Sequence, residues 1–151
     1  MISKLKIECG FNTVSKLTRM FIDMEQSKEV MKFYWGDAKE KVVNGIIVNC
    51  DILTAGIWPE QNTHPLILPR ELKACESNFE QFYKTKHSGK HLQWLHSACT
   101  VTMQTKCFDK QYAFTTSLYQ TAILCLFNEF PVLTIKQIEE KTNLPMQVLE
   151  E

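Results

Sequence analysis

The sequence predicts an α+β fold: the end of a helical bundle, a mixed α/β domain with a small antiparallel sheet, then a truncated winged-helix-like helical unit. Three observations carry this. A hydrophobic period of three to four residues runs from Asn12 to about Ala38. A period of two replaces it at Gly45 and returns between Leu92 and Phe114. Two Ser/Thr-x-x-Gln capping boxes, at Ser117 and Thr134, then open closely spaced helices.

The first helix carries Val14, Leu17, Phe21 and Met24 on one stripe, with Lys16, Asp23, Lys28 and Glu29 between them. Gly10 separates it from a preceding turn and Gly36 is its expected stop. A helix this apolar on one face needs other helices, which the residues upstream do not supply, so Met1 reads as a truncation point. From Gly45, Val48, Cys50 and Ile52 alternate with Ile47, Asn49, Asp51 and Leu53, the pattern of a strand. Gly56, Pro59 and Pro65 mark a loop. Pro69 suits the first position of a second helix, whose stripe is Leu72, Cys75, Phe79, Phe82 and Tyr83. His87, Ser88 and Gly89 break it.

Three antiparallel strands are expected next. Leu92 and Trp94 alternate in the first, Cys99, Val101 and Met103 share a face of the second, and Tyr112 and Phe114 share a face of the third. Asp109 and Lys110 lie at the turn between the last two. Ser117 and Gln120 then open an almost wholly apolar helix, Leu118 to Phe127, expected to be a central core element. Thr134 and Gln137 open another, and Met146 starts a last one.

Composition excludes several classes. The chain has 151 residues and is 44% hydrophobic, enough for one domain or two small ones without a disulfide or metal staple. Seventeen basic residues balance seventeen acidic ones, which gives no general attraction to nucleic acid or anionic membrane. Arg19 and Arg70 are the two arginines, few for bidentate phosphate or guanine readout. No run reaches the ~18 apolar residues of a membrane span, and the first six residues hold no apolar signal core. The six cysteines sit inside apolar patterns, which predicts reduced, mostly buried thiols in a cytoplasmic or nuclear protein.

The candidate chemical sites are weak. Lys84 to Lys110 holds five lysines and three histidines against one acid, Asp109; it reads as an anion- or partner-facing patch, or simply as solvated loops and outer strand faces. His87, His91, His96 and Cys99 are close in sequence, but their spacing is irregular and no C-x-x-C accompanies them, so no metal site is expected. The last 35 residues have a helix-turn-helix order, yet the final helix reads Met146, Gln147, Val148, Leu149, Glu150, Glu151, whose acids would repel phosphate. No nucleophile constellation and no phosphate-cradling glycine loop is visible, so no catalytic residue and no cofactor is expected.

Several ordered stretches together resemble the cullin family, the scaffolds of multi-subunit ubiquitin ligases. Ile2 to Lys6 with Glu8, Cys9 and Gly10 resembles the entry to the last long helix of the cullin bundle. Phe21, Asp23, Met24, Glu25, Ser27 and Lys28 resemble an M-F-x-D-M-E-x-S-K run. Leu53, Thr54, Gly56, Trp58 and Pro59 resemble L-T-x-G-Y-W-P, with Ile57 in place of tyrosine. Phe82, Tyr83, Lys86, His87, Ser88, Gly89, Leu92, Gln93 and Trp94 resemble F-Y-x-x-K-H-S-G-R-x-L-Q-W, with Lys90 for arginine. Ser117, Leu118, Gln120, Thr121, Phe127, Asn128 and Glu129 resemble S-L-F-Q-T…F-N-E, with Tyr119 for phenylalanine. The Gln93–Trp94 pair looks most like the fourth class of cullins.

The resemblance implies a layout of bundle-end helices over 1–44, the α/β domain over 45–116 and the truncated winged-helix-like unit over 117–151. It implies a non-enzymatic scaffold whose sheet accepts a strand of a RING-box subunit, which in turn recruits a ubiquitin-conjugating enzyme. The strand-accepting residues are then Val48, Cys50, Ile52, Leu92, Trp94, Val101 and Met103. The family's adaptor-binding repeats and its modifier-acceptor region have no counterpart here, and Phe33 to Asn44 looks shortened, so a cullin fragment or a reduced cullin-like protein is expected.

Overall fold

The computed structural model describes residues 10–36, 43, 45–106 and 109–150. The expectations for Ile2 to Cys9 and for the helix end near Ala38 lie outside those residues. The chain divides into two units. The first is bounded as Met1–Glu60 with Ala74–Gly89, and the second as Gln61–Lys73 with Lys90–Glu151.

In the first unit, helix α1 spans Phe11–Gly36. Gly10, at φ 80°, precedes it, and its carbonyl accepts from the Val14 N–H at 3.3 Å. No proline or glycine interrupts the helix before its last residue. Of the expected apolar stripe, Val14 alone is buried, at 2% exposure. Leu17, Phe21 and Met24 are 39%, 68% and 45% exposed, while Asp23, Ser27 and Tyr34 are buried. These three, at spacings of four and seven, share one helical face. The segment packed against Asp23 and Ser27 presents backbone and indole N–H groups, which need acceptors rather than methyls.

Helix α2, Arg70–Lys86, starts directly after Pro69, whose carbonyl accepts from Lys73 N–H at 2.9 Å. Its stripe is as expected: Cys75, Phe79 and Tyr83 are buried, and Leu72 and Phe82 half-buried. Within the first unit the Tyr34 ring meets Phe79 and Phe82 edge-on, at centroid distances of 5.2 and 5.1 Å. Its hydroxyl donates to Asn78 Oδ1 at 2.8 Å, so the fully buried phenol keeps a partner.

The strand expected over Gly45–Leu53 forms no ladder. The chain there alternates as expected, with Ile46, Val48, Cys50 and Ile52 half-buried and Ile47, Asn49 and Asp51 exposed. Its one pairing among the described residues is the local bridge Val43↔Ile46. Alternation reports extended backbone with one buried side; a ladder also requires a neighbouring strand.

The second unit holds a two-stranded antiparallel sheet, β1 (Thr100–Gln104) and β2 (Ala113–Ser117), with Val101 opposite Thr116 and Met103 opposite Phe114. Two of the three expected strands are therefore present. The first, at Leu92–Trp94, is irregular chain leading into a 3-10 turn at His96–Ala98. Leu92 and Trp94 alternate in burial with their neighbours His91 and Gln93, the sequence pattern of a strand in a stretch that is not one.

Both capping boxes form. Ser117 Oγ accepts from Gln120 N–H at 3.2 Å while the Gln120 side chain accepts from Ser117 N–H at 3.0 Å, opening α3, Leu118–Leu126. Thr134 and Gln137 repeat the exchange at α4, Ile135–Thr142. Asn143 closes α4 in the left-handed conformation, φ 59°, and Pro145 leads into α5, Met146–Leu149. The apolar α3 is not wholly a core element: Leu118, Thr121 and Ala122 are buried, but Leu124 and Phe127 are 46% and 44% exposed. A nine-residue helix packed on one side buries one stripe, whatever its overall composition. The extended stretch before α2 is tied within this unit by His64 N–H donating to Tyr119 Oη at 3.1 Å and Ile67 N–H to the Thr142 carbonyl at 2.8 Å. Replacing Thr134 by alanine should cost about 1 kcal/mol of stability in urea unfolding, with Thr134→Ser close to wild type.

Candidate functional site

The most highly organised polar cluster lies in the first unit, between α1 and the segment 52–58. Asp23 is 2% exposed and takes four bonds. Thr54 N–H donates to Oδ2 at 2.8 Å, Thr54 Oγ1 to Oδ1 at 2.7 Å, Trp58 Nε1 to Oδ2 at 2.9 Å and Arg19 Nε to Oδ1 at 3.1 Å. Arg19 also reaches Thr54 Oγ1, at 3.0 and 3.1 Å. One turn on, Ser27 Oγ accepts from Ile52 N–H at 2.7 Å. Its own proton is shared between the Asp23 carbonyl, at 2.7 Å, and that of Ile52, at 3.3 Å.

The segment is shaped for this grip. Thr54 to Ile57 make a tight turn, with Ile57 N–H donating to the Thr54 carbonyl at 3.3 Å and Gly56 at φ 76°. An L side chain is strained at that φ, which accounts for glycine there. The turn brings the Trp58 indole back to the carboxylate that holds Thr54. Burial raises the Asp23 pKa, but the bonds from Thr54 and Trp58, with the Arg19 charge, outweigh it and hold the carboxyl below the ordinary aspartate value. A folded-state pKa below the unfolded one stabilises the fold above the unfolded value and loses that contribution as pH falls through the folded one. Stability should therefore drop below about pH 4, and Asp23→Asn should flatten that drop in acid titrations followed by circular dichroism.

Upstream of the grip the chain is extended. In extended chain the N–H and C=O of one residue point to one edge and those of the next residue to the other. Ile52 and Thr54 spend their N–H groups on α1. The opposite edge carries Asn49 and Asp51, whose backbone groups have no partner among the described residues.

The sequence-derived strand-accepting residues fall in both units. Val48, Cys50 and Ile52 lie half-buried on the extended segment of the first. Leu92, Trp94, Val101 and Met103 are half-buried in the second, the last two on β1. Asp23 and Ser27 were not among them. Their signal in the sequence is a four-residue spacing of two polar residues, on a helix that carries many others.

Other candidates hold little chemistry. The His87 ring lies 4.4 Å from that of Tyr83, a packing contact. Among the described residues no three His, Cys, Asp or Glu side chains converge as metal ligands, and no helix is long and apolar enough to cross a membrane. Cys50, Cys75, Cys99 and Cys125 are not in disulfides, and burial raises the pKa of the Cys75 and Cys125 thiols, which disfavours the thiolate.

The described residues combine one long helix, on which Leu17, Phe21 and Met24 are exposed, with a mixed α+β part. Residues 52–151 match the family model of the Cullin alpha+beta domain, and residues 1–31 that of the Cullin alpha solenoid domain. The chain is 38% identical to Cullin-3 of Dictyostelium discoideum, covering 96% of this chain and 19% of that protein. It is 36% identical to Cullin-1 of the same organism, covering 99% and 20%, and 35% identical to Cullin-4A of Mus musculus, covering 95% and 19%. The chain belongs to the cullin family. It spans about a fifth of the length of these relatives. Identities to Cullin-1, Cullin-3 and Cullin-4 relatives lie within 34–38%, so they single out no class, the fourth included.

Proposed function

We propose that this chain is a non-enzymatic scaffold element of a cullin-RING ubiquitin ligase and that it binds a RING-box subunit by accepting one of its strands. The observation that supports this most is the segment 46–52: extended, alternating in burial, and with the backbone groups of Asn49 and Asp51 without a partner among the described residues. Such a segment offers main-chain hydrogen bonds to an added strand, and its half-buried Val48, Cys50 and Ile52 set the register. Leu92, Trp94, Val101 and Met103 are the corresponding apolar positions of the second unit. The RING-box subunit would bring the ubiquitin-conjugating enzyme, in the cytoplasm or nucleus, for ubiquitin-dependent degradation. The test is co-expression of the chain with a RING-box subunit. Co-purification of a stoichiometric complex is expected, and a folded chain that leaves the subunit behind at micromolar concentration would sink the reading.

A further inference from the structure

We infer that Asp23 and Ser27 are positioning residues that close one backbone edge of the segment 49–54, so that an incoming strand pairs through the other edge, at Asn49 and Asp51. The inference rests on the strand-accepting reading above and adds to it which edge is used and what selects it.

Ser27 Oγ caps the N–H and touches the carbonyl of Ile52, and Asp23 Oδ2 caps the N–H of Thr54. Two side chains one helical turn apart thus stand where a neighbouring strand would stand. Both are buried, at 2% and 1% exposure, and Asp23 is itself held by Trp58 and Arg19, so neither is displaced at little cost. An extended segment ordinarily offers two edges to an incoming strand. With the Ile52–Thr54 edge occupied, the edge of Asn49 and Asp51 is the one left, while Val48, Cys50 and Ile52 already form the half-buried side of the segment. Holding the segment extended before the partner arrives also reduces the ordering cost of binding. The sequence run that contains Asp23 and Ser27 and the run Leu53–Pro59 are thus one device, separated by some thirty residues.

Amide hydrogen exchange on the full chain, free and with a RING-box subunit, tests this. In the free chain Ile52 and Thr54 should be protected and Asn49 and Asp51 open. On binding, Asn49 and Asp51 should become protected while Ile52 and Thr54 change little. Ser27→Ala should lose the Ile52 protection and weaken binding by about tenfold through lost preorganisation. Val14→Ala, a buried change elsewhere on α1, should lower stability but leave both the exchange pattern and the affinity unchanged. Binding accompanied by new protection at some other edge, with Asn49 and Asp51 still open, overturns the inference and leaves the RING reading standing. Equal loss of affinity in Ser27→Ala and Val14→Ala reduces Ser27 to a structural role and overturns it too. A folded chain with no binding at all overturns the RING reading, and this inference with it.

Discussion

Asp23→Ala should destabilise the chain by about 3–5 kcal/mol, measured as the loss of unfolding free energy in urea. The substitution removes the acceptor for three donors of the segment 52–58 and strands the Thr54 amide and the Trp58 indole N–H in a buried place. A buried donor left without a partner costs about 1–3 kcal/mol, and a bond to a charged acceptor is worth more than a neutral one. Arg19 counts for less, because its side chain is 43% exposed and solvent screens it. The order expected is therefore Asp23→Ala worst, Asp23→Asn intermediate and Arg19→Ala mildest. A loss under about 1 kcal/mol for Asp23→Ala would mean that the segment is held by its apolar contacts instead.

Phe79→Ala is expected to cost a similar amount, about 3–5 kcal/mol, by a different route. Its ring is 1% exposed and packs edge-on to Tyr34 and nearly parallel to Tyr83, with centroids 5.2 and 6.3 Å away. Truncation leaves a cavity among aromatic rings that cannot collapse into it, since Tyr34 is fixed by its bond to Asn78. Phe82→Ala should cost less, because Phe82 is only half-buried. Equal effects at the two positions would contradict the packing described. The α2 stripe predicts this ranking only through the structure: the sequence shows both phenylalanines at helical spacing and gives no reason to prefer one.

What the sequence made legible follows from the kind of signal each element has. Capping boxes at Ser117 and Thr134 are local, four-residue hydrogen-bond patterns, so they form as read. The α2 stripe is a periodicity with one apolar face, so its buried side is unambiguous. α1 has an apolar stripe on one side and many polar residues elsewhere, and hydrophobicity picks out the buried Val14 but not the buried Asp23 and Ser27. The strands at Val48–Ile52 and Leu92–Trp94 failed for a further reason. Period-two alternation reports which side chains are covered, and pairing depends on a neighbour that no local pattern names. The grip of Asp23 and Ser27 on Ile52, Thr54 and Trp58 joins residues 25–35 apart in sequence, which no spacing rule connects. Resemblance to the cullin family picked out both runs, and the structure supplies the physical reason they occur together.

The central claim is that partner recognition runs through the open backbone edge of the segment 49–54. Asp51→Pro tests it most directly. The Asp51 N–H has no partner among the described residues, and Cys50 before it is already in extended chain, where a following proline is tolerated. Proline at 51 removes one donor from the open edge and puts a ring in the path of a neighbouring strand. The account predicts that Asp51→Pro keeps the wild-type urea midpoint and loses affinity for a RING-box subunit by at least about tenfold, while Asp51→Ala binds as wild type. A folded Asp51→Pro chain that binds the RING-box subunit as tightly as wild type would contradict it.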